Sequence, residues 1–139
     1  LNRSLSSIKG NNSIISVLSS IYADENNLDE SIILNSDSFI CETSTSNIFL
    51  VIGKQILTPP INSGCINGII REKIIENAES WGYEIQESNI KPFQLIKADE
   101  VFLSNSIKII TWVEQYKSKK YRNIVSKDLL MNLKEMMNI

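Results

Sequence analysis

Residues 64–74 read GCINGIIREKI, and within a few positions they change from a glycine-punctuated turn to an amphipathic helix. Asn67 and Gly68 allow an anion to approach the backbone, and apolar Ile70 and Ile74 follow at helical spacing. The first amides of a helix lack hydrogen-bond partners and lie at the positive end of its dipole, so this turn predicts an anion site. Taken alone, the same residues are explained better by a plain turn before a surface helix.

The segments around this turn predict a mixed α/β (α+β) fold, with short, mostly antiparallel strands and helices packed on them. Helical periodicity predicts one helix after 11–12 that stops at 26–27, one from Ile70 through Trp81 that stops at Gly82, a turn at 92–97, and one at 126–137. Alternating or β-rich runs predict strands at 31–35, 39–42, 47–52, 55–57, 83–87, 100–103 and 107–113. No repeat or linker interrupts them, so residues 1–139 are predicted to form one domain.

Composition excludes several classes of function. The net charge of -2 provides no basic excess for a nucleic-acid backbone, and no apolar run approaches the roughly 20 residues that span a bilayer. We therefore expect no nucleic acid, no membrane and a cytoplasmic location. Histidine is absent, which excludes Ser-His-Asp and Cys-His catalysis and metal sites that need imidazole. The two cysteines, Cys41 and Cys65, are expected to be free thiols.

Three other places in the chain carry residues suited to chemistry. Lys9 precedes Gly-Asn-Asn and could form an imine with an aldehyde if it were buried, although most such lysines are surface charges. Glu42 ends an apolar run before a hydroxyl-rich turn and could hold a protonated base, or be a solvated strand end. The triplet SNS at 104–106 follows a buried strand, where ligands often bind and plain turns are also common.

The order of these motifs is more specific than any one of them. Lys9 is followed by CETSTSNIFLV at 41–51, TPPINSGCINGIIRE at 58–72 and ADEVFLSNS at 98–106. This series resembles the class IV aminotransferase family of fold-type IV pyridoxal-phosphate enzymes, which includes branched-chain and D-amino-acid aminotransferases and aminodeoxychorismate lyase. The resemblance implies the fold of the large, cofactor-binding domain, pyridoxal 5'-phosphate as cofactor and a small-molecule substrate.

The resemblance also implies roles for single residues. Lys9 matches the lysine that binds the cofactor covalently and then moves the substrate's proton. Glu42 matches the glutamate that pairs with the pyridine nitrogen and keeps it protonated. The cofactor phosphate is expected on the amides of Ile69 and Ile70, with Gly68 permitting its approach.

Further matches concern the cofactor ring and the substrate. Ile66 matches the apolar residue that packs on the ring, and Ser106 matches the hydroxyl that adds a phosphate contact. The amides of Ser106 and Ile107 match those that face the substrate carboxylate. Asn105, where aminotransferases tend to have glycine, and the Asn-Gly-Ile-Ile-Arg form of 67–71 are similar to the lyase branch.

Other features depart from the family. Many aminotransferases have threonine where this chain has Ile70, and a tyrosine soon after the lysine where this chain reads Asn-Ser-Ile. Members also carry a smaller N-terminal domain with a phosphate-binding arginine, so the chain is predicted to be a fragment that lacks it. The first hypothesis is a lyase that converts 4-amino-4-deoxychorismate to p-aminobenzoate and pyruvate, in a protein that is a homodimer at full length. A branched-chain or D-amino-acid aminotransferase and an inactive fragment or binding module stay open.

Overall fold

The structure is a computed structural model that describes residues 9–139, with side chains in the first helix described from residue 14 onward. Its centre is a five-stranded sheet. The strands are β3 (Asn47–Ile52), β4 (Gln55–Thr58), β5 (Glu84–Glu87), β6 (Glu100–Asn105) and β7 (Ile109–Trp112). Their order is β5-β4-β3-β6-β7, and every pair is antiparallel except β4 with β5. The predicted mixed α/β fold with mostly antiparallel strands is confirmed.

Two short antiparallel pairs flank this sheet. The pairs are β1 (Ile32–Leu34) with β2 (Ile40–Thr43), and β8 (Gln115–Tyr116) with β9 (Lys119–Lys120). The strand predicted at 107–113 is shorter in the structure, because β6 continues to Asn105 and a turn occupies 106–108. The pair β8 and β9 was not predicted from the sequence.

The core is divided by the central strand β3, whose first five residues are buried. On one face, Phe49 stacks on Phe102 with ring centroids 4.7 Å apart, beneath helices α2 (Ile69–Asn77) and α4 (Ile124–Met137). On the other face, Leu50 packs with Leu95 of helix α3 (Phe93–Lys97). Each buried side chain of this size contributes about 1.5–3 kcal/mol, so burial on both faces fixes the position of β3.

Helix α2 connects the parallel strands β4 and β5 and begins at Ile69, directly after its N-cap residue Gly68. Its apolar positions Ile70 and Ile74 are buried, as is Ala78 just after its end. The predicted single helix up to Gly82 is wrong in one respect, since α2 ends at Asn77 and a 3-10 turn covers 79–81. Gly82 has φ 92, and the amide after it bonds back to the Ala78 carbonyl, which tightens the last turn.

The first helix, α1 (Lys9–Glu25), confirms the helix predicted before 26–27. Its described apolar residues are mostly exposed: Leu18 is 58% exposed and Ile14 is 64% exposed, whereas Ala23 is buried. Helical spacing therefore predicted the conformation of this segment without predicting a buried face. Within the described part of the chain, none of the helices has the length and apolar character that a membrane span requires.

Candidate active site

A cleft of about 570 Å³ lies where β2 and β6 end and α2 begins. Four segments of the chain line it: part of α1, residues 42 and 44–47, residues 66–70 and residues 104–106. It brings together most of the residues that the sequence singled out, namely Glu42, Ile66, Gly68, Ile69, Ile70, Asn105 and Ser106. Ile107 is not among the lining residues. Lys9 is the first residue of α1, and its side chain lies outside the described residues.

Glu42 forms one wall of the cleft and is tied to the turn that precedes α2. Its side chain is 6% exposed, and its Oε1 accepts a hydrogen bond of 2.7 Å from the Ile66 amide. A hydrogen bond to an ionised group is stronger than a neutral one, so this contact joins β2 firmly to the turn at 66–68. The result is an anchored carboxylate on the cleft wall, which is suited to a protonated base.

The opposite part of the cleft is the N-terminus of α2. Gly68 is the N-cap residue in an extended conformation, and the helix has no side-chain cap hydrogen bond there. The first helical turn closes with the Glu72 amide on the Gly68 carbonyl at 3.0 Å, so the amides of Ile69 and Ile70 precede the helical hydrogen bonds. These backbone donors lie at the positive end of the helix dipole.

Glycine is required at 68 because Asn47 lies against it. A Cβ atom on Gly68 would sit 2.6 Å from Asn47 Oδ1, closer than real side chains approach. The side-chain nitrogen Nδ2 of Asn47 donates a hydrogen bond of 2.7 Å to the Ile66 carbonyl, so this side chain cannot easily move away. Sequence reasoning assigned no role to Asn47. The available signal was an amide side chain at the start of an apolar strand.

Ser104 lies opposite Asn47 across the β3–β6 pairing. It lines the cleft and is 2% exposed, and its Oγ has no hydrogen-bond partner among the described residues. A buried hydroxyl without a partner costs about 1–3 kcal/mol, so such a group indicates a ligand that would satisfy it. The sequence placed Ser104 in the candidate triplet SNS, but the family resemblance assigned roles only to the residues after it.

The turn at 105–108 is organised by the side chain of Asn105. Its Oδ1 accepts hydrogen bonds from the amides of Ile107 at 3.0 Å and Lys108 at 2.8 Å, and its Nδ2 donates to Ser46 Oγ at 2.9 Å. Ser106 lines the cleft, whereas the Ile107 amide already has a partner within the turn. Contact of that amide with a substrate carboxylate would require this hydrogen bond to be exchanged.

Arg71 stabilises the turn that precedes α2, although it does not line the cleft. Its side chain is 3% exposed and donates to Asn67 Oδ1 at 2.9 Å and to the Pro59 carbonyl at 3.1 Å, and it forms an ion pair with Glu87 of β5. A buried guanidinium in such a network fixes the approach of the chain to α2. The start of the helix is therefore held from two sides, by Glu42 and by Arg71.

Cys65 is a buried thiol near Arg71 and not a lining residue of the cleft. Burial raises the pKa of Cys65, and the nearby positive charge of Arg71 opposes that effect only in part. A raised pKa keeps the thiol protonated at neutral pH, which makes it a poor nucleophile. Cys41 and Cys65 are both free thiols in the structure.

These features fit a ligand with an anionic group at one end and a basic nitrogen at the other. Amides of α2, the close approach at Gly68 and the unsatisfied hydroxyl of Ser104 suit an anion, while Glu42 suits a protonated ring nitrogen. Pyridoxal phosphate has this distribution of charge. In residues 9–139, no group of three or more His, Cys, Asp or Glu side chains is placed to hold a metal ion.

Comparison with known proteins supports this chemistry. The family model of amino-transferase class IV matches residues 1–116. The chain is 36% identical over 102 residues to a Synechocystis sp. protein named "Probable branched-chain-amino-acid aminotransferase", and 31% identical over 99 residues to the aminodeoxychorismate lyase of Vibrio harveyi. These alignments cover 73% and 71% of this chain, and 33% and 36% of the two relatives. The chain thus spans about a third of the length of these relatives.

A solved structure matches the fold. It is a branched-chain amino acid aminotransferase from T.th., complexed with N-(5'-phosphopyridoxyl)-L-glutamate, and it is 26% identical in sequence. The TM-score is 0.81, and the match covers 90% of this chain and 43% of the other. The part of the chain that this match covers therefore shares its fold with an enzyme complexed with a phosphopyridoxyl compound.

Proposed function

The chain belongs to the class IV aminotransferase family, and from that premise we propose that its cleft binds pyridoxal 5'-phosphate. We further propose that the protein is a lyase that converts 4-amino-4-deoxychorismate to p-aminobenzoate and pyruvate. The observation that carries the cofactor assignment is the pairing of an anion-binding helix start with a buried, anchored Glu42 across one cleft. The substrate assignment rests on Asn105 and on the Asn-Gly-Ile-Ile-Arg sequence at 67–71.

Backbone groups provide most of the phosphate site in this proposal. The amides of Ile69 and Ile70 bind phosphate oxygens, and the lack of a side chain on Gly68 leaves room for them. Ser106 adds a hydroxyl from the opposite turn, and the buried Ser104 hydroxyl supplies one more donor, to which the family resemblance assigned no role. Because residue 70 is isoleucine, it contributes its amide and no hydroxyl.

The remaining contacts orient the cofactor ring. Glu42 accepts a hydrogen bond from the ring nitrogen and favours its protonated form, since an opposite charge stabilises a cation. Ile66 packs its side chain on the ring, and Lys9 binds the cofactor through its amine. The bond from the Ile66 amide keeps Glu42 directed along the cleft wall, so the same short turn supports both contacts.

The chemistry divides between the cofactor and the protein. Pyridoxal phosphate, when bound, supplies an electron sink for the charge left when a bond at the amine-bearing carbon breaks. Lys9 Nζ would remove the proton from that carbon and, as a general acid, supply a proton to the departing pyruvate. Expulsion of pyruvate leaves an aromatic ring, which makes the overall elimination favourable. The turn at 105–106 orients the substrate through Asn105 and Ser106.

An amino-acid aminotransferase is the second candidate. It would use the same Lys9 and Glu42 with a keto acid as amino acceptor. The relative with 36% identity and the solved structure with a TM-score of 0.81 both carry the name branched-chain aminotransferase, which favours this alternative. Homodimerisation and a cytoplasmic location stay predictions from the sequence.

One experiment tests the cofactor and the reaction together. The protein made from its complete coding sequence is titrated with pyridoxal phosphate, and we expect an absorption band that Lys9→Ala abolishes. It is then given 4-amino-4-deoxychorismate without any keto acid, and separately branched-chain amino acids with 2-oxoglutarate. Glu42→Gln is expected to lower turnover about 100-fold or more with little loss of stability, because it weakens protonation of the ring nitrogen.

The outcomes separate the two candidates. Pyruvate release without a keto acid supports the lyase, and glutamate formation alone contradicts it in favour of the aminotransferase. If no absorption band that depends on Lys9 forms, Lys9 does not bind the cofactor. Normal turnover in Glu42→Gln would remove Glu42 from the proposed contact with the ring nitrogen.

A further inference from the structure

The Glu30 carboxylate accepts hydrogen bonds from hydroxyl groups beside the cleft, although Glu30 does not itself line the cleft. It lies between α1 and β1, and its side chain is half-buried. Its Oε1 accepts hydrogen bonds from Thr43 Oγ1 at 2.6 Å and from Thr45 Oγ1 at 3.0 Å, and its Oε2 lies 3.4 Å from Ser44 Oγ. One carboxylate thus contacts three successive hydroxyl residues of the segment that follows Glu42.

The carboxylate fixes the direction of the hydrogen bonds beyond it. An ionised carboxylate only accepts, so Thr45 directs its single hydroxyl hydrogen to Glu30 and acts as acceptor on its other side. Ser46 Oγ lies 3.2 Å from Thr45 Oγ1 and therefore donates to it. Ser46 Oγ in turn accepts from Asn105 Nδ2 at 2.9 Å. The series of donors runs from Asn105 through two hydroxyls to Glu30.

This direction matches the orientation that the 105–108 turn requires of the Asn105 side chain, because the backbone amides of Ile107 and Lys108 can only donate. With its nitrogen committed to Ser46, Asn105 presents Oδ1 to the amides of Ile107 and Lys108. A second path supports the same segment, because Thr43 Oγ1 accepts from the Ser46 amide at 3.1 Å. Both paths end on the same carboxylate oxygen of Glu30.

We propose that Glu30 is a positioning residue that holds the Asn105 side chain in place, and so supports the shape of the 105–108 turn, through the Thr45 and Ser46 hydroxyls. The proposal rests on the proposed function in so far as this turn is assigned to the substrate. Glu30 touches neither substrate nor cofactor. It acts by ordering donors and acceptors on the wall opposite α2, and hence the fit of the substrate.

The test compares variants in the protein made from its complete coding sequence. Glu30→Ala removes the acceptor, and Glu30→Gln keeps an amide oxygen that can replace Oε1 for both threonines. Asp29→Ala is the matched control, since Asp29 is the adjacent carboxylate and its side chain has no hydrogen bond or ion pair to a residue of the described chain. Hydrogen-deuterium exchange is measured on the peptide that contains 105–108, together with KM and kcat.

We expect Glu30→Ala to raise amide exchange in this peptide and to raise KM about fivefold to tenfold, because only part of the lost hydrogen-bond energy reaches the substrate through Asn105. The kcat and the cofactor absorption band should change little. Glu30→Gln should recover most of both effects. In a double-mutant cycle, Glu30→Ala should add little to Asn105→Ala, because both changes break the same path.

Exchange in Glu30→Ala equal to that in Asp29→Ala would overturn the proposal. Additive effects of Glu30→Ala and Asn105→Ala on KM would also overturn it, because they would mean that Glu30 does not act through Asn105. Equal damage in Glu30→Gln and Glu30→Ala would overturn it as well, because the glutamine oxygen keeps the hydrogen-bond acceptor on which the path depends. A wild-type protein inactive on every substrate tested would sink the proposed function, while the exchange comparison would still decide the role of Glu30.

Discussion

At the scale of single residues, the cleft depends on a pair of polar side chains buried next to each other in the central sheet. Asn47 and Ser104 face each other across β3 and β6, and the next pair along the same face is the stacked Phe49 and Phe102. Asn47 is satisfied by the Ile66 carbonyl, but the Ser104 hydroxyl has no partner within the described residues. This contrast between neighbours makes Ser104 the informative position for a ligand.

Ser104→Ala should separate stability from ligand binding. Removing a buried hydroxyl that has no partner should leave the free energy of unfolding unchanged or raise it by about 1 kcal/mol. The same change should weaken pyridoxal-phosphate binding about threefold to tenfold, because one donor to the phosphate is lost. Thermal unfolding without cofactor and an absorbance titration with cofactor measure the two effects.

Ser63→Ala provides the comparison for this prediction. Ser63 is also a fully buried serine, and it is not among the residues that line the cleft. The Ser63→Ala change should therefore leave the affinity for the cofactor at the wild-type value. If Ser104→Ala bound the cofactor as tightly as the wild type, Ser104 would have no part in the phosphate site.

Residue roles that depend on local backbone chemistry were predictable from the sequence, and those that depend on distant partners were not. Gly68 was identified as a position where an anion can approach, because small residues before a helix have that property in any fold. The stricter reason for glycine there is Asn47, which only the strand pairing brings next to it. Glu30 could not be predicted to matter for Asn105, since two hydroxyl residues connect them.

At the scale of elements, helix α4 begins where a residue of another element caps it. Glu100, at the start of β6, is fully buried, and its carboxylate accepts from the amides of Val125 at 2.8 Å and Ser126 at 3.0 Å. The Ser126 hydroxyl donates to the same group at 2.9 Å. The sequence placed the helix start at 126, two residues late, because propensity and periodicity do not reveal a cap supplied by a strand.

Glu100→Gln should destabilise the protein by about 2–3 kcal/mol. The glutamine side chain must direct its NH₂ group at a backbone donor where the carboxylate offered an acceptor, so one buried amide loses its partner. Urea unfolding followed by circular dichroism measures the free energy. Glu114→Gln, an exposed site, should change stability by less than about 0.5 kcal/mol. A Glu100→Gln protein as stable as this control would mean that the cap contributes nothing.

At the scale of the whole molecule, the charge state of buried groups predicts a loss of stability at high pH. Burial raises the pKa of Cys65 above its ordinary 9.0 and that of Tyr121 from 10.0 to about 12. Burial, followed by the hydrogen bond to Asp128, also raises the pKa of Tyr83. In each case the folded protein holds its proton at a pH where the unfolded chain has released it.

The sign of the effect follows from this difference. A group with a raised folded pKa contributes its full stabilisation below the unfolded pKa and loses it as pH rises. We therefore expect the free energy of unfolding to fall from about pH 9 upward, with the steepest fall between pH 10 and pH 12. Denaturant unfolding at a series of pH values measures the slope. Tyr121→Phe should flatten it between pH 10 and pH 12, whereas Tyr22→Phe, at an exposed position, should not.

The meeting of distant segments at one site was predictable because the order of the sequence motifs resembles that of the family. Segments around Glu42, Gly68 and Ser106 were expected to share one site, and the cleft contains all three. The exposed apolar side of α1 was not expected, because periodicity shows that a helix has an apolar face and not what covers it. The cap on α4 and the network from Glu30 likewise arise from packing between distant segments.

The pairing of β3 with β6 also has a consequence for how the chain folds. The hairpins β3–β4 and β6–β7 join residues that are close in sequence and can form early, but Ser46 and Asn105 are 59 positions apart and meet only when the two hairpins associate. Closing a loop of that length is slow compared with forming a hairpin. The cleft therefore cannot form before the two hairpins associate, and ligand binding there reports that this long-range pairing has been made.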